Sequence, residues 1–321
     1  MVRETSDDDT TKRQHGQYFT MGNCFGLTPF RDWFESIPHH ETLIITEPFA
    51  GGGDIPSLMN AAGYNNKFVM YDIYPKKDNI IQRDSIQDCP ITKCIITNPP
   101  YLAKNSATRR GLSFPNTHYD DIYKLALEVM LERSPYIAAI IPESFITAGL
   151  FTDRLVKIVS IKIKMFSETD CPVCLAMFSP KSNGVEIYDD SKFIGNLSEL
   201  QTSIPSSQAE YSWDFNNVDG DIGIIAVDNQ KTDSIRFVLG TQISPGDVKS
   251  TSRSKTRVKG DGIYNAIDLI KVSNKLLKEI RTKTHDTTLT AFKGIREDGK
   301  YRRRLDFATA RVILNCAREM M

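Results

Sequence analysis

Between residues 43 and 178, short apolar runs of strand length alternate with stretches of helical length. Few chain architectures tolerate that rhythm. The runs are Leu43–Ile45, Lys67–Tyr71, Cys94–Thr97, Tyr136–Ile141, Val156–Met165 and Val173–Phe178. Helices are expected around Ile55–Ala62 and over a segment with apolar Ile122, Leu125, Val129 and Met130. The runs at Cys94–Thr97, Tyr136–Ile141 and Val173–Phe178 are apolar nearly throughout rather than at every second position, as in strands covered on both faces. The expected fold is therefore α/β: a Rossmann-like, mainly parallel sheet between helical layers, closed by a terminal antiparallel hairpin. In such sheets ligands sit outside the carboxyl ends of the strands.

The polar residues at those ends form a pattern. The first strand runs into Glu47–Pro48–Phe49–Ala50–Gly51–Gly52–Gly53–Asp54, a glycine turn between strand and helix. Glycines there either let backbone pass close to a ligand or simply make a tight turn. Asp72 ends the next strand, 21 residues after Gly51. A carboxylate so placed can accept hydrogen bonds from both hydroxyls of a ribose. No Gly-Lys-Ser/Thr follows the turn, and the G-x-G-x-x-G of dinucleotide sites is absent. Glu47 would repel a phosphate and suits a cationic ligand bearing an amino group, a description that S-adenosyl-L-methionine fits. Asp84 reads either as an acceptor for an adenine amine or as a helix N-cap or exposed loop acid.

The strand Cys94–Thr97 ends in Asn98–Pro99–Pro100–Tyr101. Two prolines fix φ near −65° and drive the preceding residue out of the helical region, so this turn is stiff. Here the chain resembles the class I S-adenosylmethionine-dependent amino-methyltransferases that carry a (D/N)PPY motif. The order of parts resembles the gamma group of DNA adenine-N6 methyltransferases. The resemblance spans roughly residues 14–190. It implies that the Asn98 side-chain oxygen and the Pro99 carbonyl accept the two N–H bonds of an exocyclic amine and aim its lone pair at a methyl group. Tyr101 would be a stacking face for the base, and Phe166 the second aromatic of a sandwich. Gln17–Tyr18–Phe19–Thr20 resembles the segment that closes over the methionine part, although Met21 stands where a proline is common. Ile141–Pro142–Glu143–Ser144–Phe145 resembles the segment after the fifth strand. The cofactor-binding residues implied are Tyr18, Thr20, Glu47, Phe49, Ala50, Gly51, Gly53, Asp72, Ile73, Asp84 and Asn98.

Composition enters mainly through charge. The chain of 321 residues is formally neutral, with 40 Lys and Arg against 40 Asp and Glu. Residues 249–304 nevertheless carry 16 against 6, leaving 24 against 34 elsewhere. Such asymmetry suits a polyanion contact, the other reading being a solvated basic face. Lys249–Lys259 has cations mostly at alternate positions, which an extended strand would place on one side. With the motif in hand, double-stranded DNA is the expected partner. Its expected contacts are Arg253, Lys255, Arg257, Lys259, Lys293, Arg296, Arg302, Arg303 and Arg304, with Arg109 and Arg110 in a polar loop, Ala103 to Asp120, beside the active turn. A cognate restriction endonuclease is a further partner the resemblance admits.

The expected organisation is a disordered stretch 1–13, a methyltransferase domain 14–192 and a target-recognition domain 193–321, the latter with short strands near Ile222–Val227 and Ile235–Leu239 and a helix Ala266–Arg281. No run approaches the ~18 apolar residues of a bilayer span, and residues 1–9 lack a signal-peptide pattern, so a cytoplasmic enzyme is expected. Cys171 and Cys174 have a metal-like spacing, but no further ligand pair accompanies them; they read as part of a buried strand, and no metal is expected. The same four-residue motif also serves amine methylation in RNA and glutamine methylation in proteins. Enzymes of that kind usually lack a basic C-terminal domain of ~130 residues.

Overall fold

The computed structural model describes residues 20–167, 169–249 and 251–321, so the stretch 1–13 lies outside the described residues. The chain divides into two compact units, with the boundary between Phe193 and Ile194.

The first unit is built on a sheet of nine strands, the last of which runs across the boundary: β1 Ile45–Glu47, β2 Phe68–Asp72, β3 Ile80–Gln82, β4 Cys94–Thr97, β5 Tyr136–Pro142, β6 Leu155–Ser160, β7 Val173–Phe178, β8 Glu186–Asp189 and β9 Lys192–Asn196. Their order is β3-β2-β1-β4-β5-β7-β6-β8-β9. β1 through β5 pair in parallel, and β7 lies antiparallel between β5 and β6. This is the expected Rossmann-like sheet with its antiparallel hairpin. Every residue of β4 and β7 is buried, which is why those runs lack an alternation of polar and apolar positions.

Several elements depart from the sequence reading, among them strands β3, β8 and β9, which it does not place, the run Val156–Met165, whose strand ends at Ser160, and three helices. Helix α1, Thr28–Glu35, was not anticipated, although Phe30, Trp33 and Phe34 lie on one helical face. Phe30 and Phe34 stack at 5.7 Å, and Tyr64 meets Phe34 edge-on at 5.1 Å. After α2, Ile55–Ala61, the polar stretch 103–120 contains a short helix, α3, Lys104–Arg109, held down by buried Ala107. In α4, Ile122–Arg133, the buried stripe is Tyr123, Ala126, Leu127 and Met130. Ile122, Leu125 and Val129 flank it half-buried, so the core face is turned from the one expected. A tyrosine body buries as well as a leucine, and Tyr123 takes the central place.

The second unit contains α5 Leu197–Thr202 and an antiparallel sheet of β10 Trp213–Phe215, β11 Ile222–Ile225, β12 Arg236–Leu239 and β13 Lys255–Gly260, in the order β10-β13-β11-β12. Helices α6, Ala266–Thr284, and α7, Phe307–Glu319, supply Leu269, Leu276, Leu277, Ile280, Ile313 and Leu314 to its core. Asn265 caps α6 by accepting from Ile267 N–H, and Asp306 caps α7 by accepting from Thr309 N–H. Strands β14, Thr290–Ile295, and β15, Tyr301–Arg304, form a separate hairpin. Among the described residues no helix is long and apolar enough to cross a membrane, and no His, Cys, Asp and Glu cluster could hold a metal ion.

Candidate active site

A cavity of about 530 Å³ opens at the carboxyl ends of β1, β2 and β4. Its size suits a nucleoside-sized ligand. The chain arrives there three times: through the glycine turn after β1, through Asp72 at the end of β2, and through Asn98 directly after β4. Thr20, Glu47, Phe49, Ala50, Gly51, Asp72, Ile73, Asp84, Asn98 and Pro99 all line it. Gly53, Tyr101 and Phe166 do not contribute to its wall, and Tyr18 lies outside the described residues.

Gly51 and Gly53 have φ of +53° and +71°, values that a side-chain-bearing residue adopts only with strain. The turn they make is fastened by Asp72. Its Oδ2 accepts Gly51 N–H at 2.8 Å, and its Oδ1 accepts Tyr74 N–H at 2.8 Å. Each oxygen keeps a second lone pair, so the carboxylate can still accept from two ligand hydroxyls. Asp84 caps no helix: its Oδ1 accepts Ile86 N–H at 3.0 Å within a turn, and the residue lines the cavity.

Glu47 is 2% exposed, and its Oε2 has no hydrogen-bond partner. Burial, reinforced by the nearby Asp54 and Asp72 charges and opposed by Lys77, raises its carboxyl well above the ordinary range. Asp54, another wall residue, is raised by burial as well, again against Lys77. A buried acid without a partner beside two further acids is a poor place for an anion and a good one for an ammonium group.

The Asn98 carboxamide is held at both ends. Its Nδ2 donates to Thr20 Oγ1 at 3.2 Å, and its Oδ1 accepts from the Tyr101 hydroxyl at 2.6 Å. Thr20 itself bridges to Phe166. The aromatic pair is arranged differently from the expected sandwich. The Tyr101 ring is only 9% exposed, and Phe166 meets it edge-on at 6.2 Å with 73° between the planes. Tyr123 also meets Tyr101 edge-on, at 6.3 Å. The two rings therefore do not form a parallel slot for a base. The hydroxyl that the sequence reading left aside is the part of Tyr101 that reaches Asn98.

The backbone following the motif is clamped to the start of α4. Asp121 Oδ1 accepts Leu102 N–H at 3.0 Å, and Ile122 N–H donates to Leu102 O at 3.2 Å. Burial raises the Asp121 carboxyl to about 6, against the backbone N–H bonds of Tyr123 and Leu102 that favour its charged form. The sequence reading also missed Ser113, Phe114 and Pro115, which line the cavity too. Phe114 is an aromatic inside an otherwise polar stretch, a signal that was available.

Arg109 and Arg110 are exposed at the end of α3, outside the cavity wall. In the second unit the basic residues divide sharply. Strand β13 does alternate, with Lys255 and Lys259 exposed and Thr256 and Val258 buried. Arg253 and Lys293 are exposed as well. Arg296 and Arg303, however, are 5% and 3% exposed, which does not fit phosphate contact. Arg296 donates to the fully buried Asp228 at 3.1 Å, as does the Arg303 backbone N–H at 3.2 Å. Arg281 makes a two-pronged contact to the same carboxylate, both bonds 2.9 Å. Burial raises the Asp228 carboxyl, but the Arg281 guanidinium and the backbone N–H bonds of Ser234 and Ile235 outweigh it and hold the group below the ordinary range. Arg257 is spent on the Ile243 and Val218 carbonyls, and Arg302 on the Asp228 carbonyl and the Phe292 ring. Arg304 is half-buried near Arg253; burial first, then that neighbouring charge, pulls its guanidinium below the usual value.

No family model and no curated protein sequence matches the chain. Several solved structures resemble it in part, three of which follow. A type I restriction-modification methyltransferase subunit from Streptococcus thermophilus is 12% identical over 55% of this chain and 48% of its own, with a TM-score of 0.40. The type IIG restriction endonuclease BpuSI is 17% identical over 56% and 28%, at 0.39. A putative class I S-adenosylmethionine-dependent methyltransferase from Listeria monocytogenes is 10% identical over 57% and 68%, at 0.38. The chain spans about half the length of the first and under a third of the second. Likenesses at this level carry no argument about function.

Proposed function

We propose that the chain is an S-adenosyl-L-methionine-dependent DNA methyltransferase that acts on the N6 amine of an adenine taken out of the duplex. The observation that carries this reading is the meeting of Asn98, Pro99, Asp72 and Glu47 in one cavity. The residues fit the cofactor. Asp72 keeps acceptor capacity for two ribose hydroxyls, Glu47 offers a buried unpartnered oxygen to an ammonium group, and Asp84 faces the cavity as an acceptor for an amine. Thr20, Phe49, Ala50 and Ile73 also line the cavity.

When bound, S-adenosyl-L-methionine supplies an electrophilic methyl group on a sulfonium. The chain's own residues handle the amine. An exocyclic amine is a weak nucleophile because its lone pair is shared with the ring. The Asn98 side-chain oxygen and the Pro99 carbonyl accept its two N–H bonds, which favours a pyramidal nitrogen and directs the lone pair. The prolines keep both acceptors in place, and positioning of this kind lowers the barrier without any charged catalyst. Extruding a base costs a few kcal/mol, and the enclosed amine site must recover that cost. A base stacking between Tyr101 and Phe166 requires those rings to part.

Duplex DNA is the proposed substrate because the second unit exposes Arg253, Lys255, Lys259 and Lys293, with Arg304 half-exposed. Arg109 and Arg110 are proposed as further phosphate contacts beside the motif. In this reading, residues 14–192 form the methyltransferase domain and 193–321 read the target. The enzyme would be cytoplasmic, and a cognate restriction endonuclease is a proposed partner.

The test offers labelled S-adenosyl-L-methionine together with duplex DNA, structured RNA or a glutamine-bearing peptide. Label in the duplex alone supports the proposal. Label in the RNA or peptide alone moves the same amine chemistry to another acceptor.

A further inference from the structure

A carboxamide has an oxygen and an NH2 group of nearly equal size, and only the oxygen can accept an amine N–H. The usefulness of Asn98 therefore depends on which way round its side chain is held. Its nitrogen end meets Thr20 Oγ1 at 3.2 Å, and its oxygen end meets Tyr101 Oη at 2.6 Å. The single Tyr101 proton is shared between the Asn98 oxygen and the Ile140 carbonyl of strand β5, also 2.6 Å away. Its ring is wedged edge-on between Tyr123 and Phe166, at 6.3 and 6.2 Å, so the phenol oxygen cannot leave Asn98 without repacking both. Burial, with smaller contributions from Cys171, Cys174, Tyr123 and Asp121, raises this phenol well above its ordinary range, so it stays protonated as a donor. A hydroxyl in contact with Oδ1 still leaves that oxygen a second lone pair.

We propose that Tyr101 acts through its hydroxyl as a positioning residue, holding the Asn98 carboxamide with its oxygen available to the substrate amine. The inference rests on the amine-methylation reading above. It assigns the tyrosine a task distinct from lending a ring face to a base, one that a phenylalanine cannot perform. Thr20 is the second half of the clamp, acting on the nitrogen end.

The deciding variant is Tyr101→Phe, which keeps the ring and removes one oxygen. Methyl transfer to duplex DNA is measured at varied DNA and cofactor concentrations, with the melting temperature and cofactor Kd as controls. The expected result is a kcat about tenfold lower or more, with KM for DNA and Kd for cofactor within about twofold, because orientation of an acceptor matters chiefly in the transition state. An unchanged kcat overturns the inference and leaves the ring face as the role of Tyr101. A loss shared equally by kcat, KM and Kd also overturns it, in favour of a merely structural part. If Tyr101→Phe does not fold, Thr20→Val tests the opposite end of the clamp. Its kcat should fall and Thr20→Ser should restore it; a Thr20→Val enzyme with wild-type kcat overturns the inference. A wild-type protein that methylates no amine overturns the underlying reading, an outcome distinct from an active wild type with an equally active Tyr101→Phe.

Discussion

Asp72 accepts the backbone N–H of Gly51 at 2.8 Å across 21 residues of chain. One carboxylate thereby fixes the shape of the glycine turn and faces the cavity that the turn borders. Structure and binding are joined in a single side chain, and substitutions there should show both effects.

Asp72→Asn keeps the size of the group and one acceptor oxygen but removes the charge. Cofactor affinity should fall by about 10- to 100-fold, in line with about 1.5–3 kcal/mol for a hydrogen bond to a charged acceptor. Isothermal titration calorimetry measures this. An unchanged Kd would remove Asp72 from the site.

Glu47→Gln should act in opposite directions with and without ligand. The Glu47 carboxyl is raised in the folded protein, so folding favours its protonated form. Its contribution to stability is fully present below the unfolded value, about 4.3, and is lost as pH rises through the folded value. The ligand-free variant should therefore melt higher than wild type at pH 8 and alike at pH 4. It should also bind the cationic cofactor more weakly. Wild-type affinity should rise with pH as Glu47 ionises, and the variant's should not. Melting curves and binding titrations across pH 5–9 check both halves.

Asp121→Asn tests the clamp behind the motif. The wild-type carboxyl titrates at about 6, raised by burial, so its stabilising contribution fades as pH rises from about 4 through 6. Asn retains an oxygen for Leu102 N–H and cannot ionise. The variant should be more stable at pH 7 by about 1–3 kcal/mol, and equal to wild type near pH 4. Urea unfolding at the two pH values decides it.

The arginines of the second unit should separate by burial. Asp228→Asn leaves Arg281 and Arg296 without their shared anion and should cost about 3–5 kcal/mol. Because the Asp228 carboxyl is held below its ordinary value, the wild-type contribution is present above about pH 4 and lost on acidification through the folded value. Lys255→Ala with Lys259→Ala should leave the melting temperature within a degree or two and lower the salt dependence of DNA binding by about two phosphate contacts. A binding isotherm unmoved by that double variant would remove β13 from the DNA surface.

How much of this the sequence shows follows from how local each determinant is. β4 and β7 are legible because every one of their residues is buried, and the cavity is legible because its acids and its asparagine fall at strand ends. β3 is not, having three residues of which two are exposed. The Asp228 hub joins residues 53 and 68 positions apart, so Arg296 looks like a surface cation until the fold brings a buried carboxylate to it. Tyr101 shows the same limit at the site. Its place beside Asn98 is local, but its burial depends on Tyr123 and Phe166, which no spacing along the chain announces.

The most direct test of the central claim is the modified-base content of DNA from cells expressing the protein, read by methylation-sensitive long-read sequencing beside an Asn98→Ala control. The expected result is N6-methyladenine at one recurrent sequence, present with the wild-type protein and absent with the variant. Adenine modification no higher than in empty-vector cells, or equal in the Asn98→Ala cells, would contradict it.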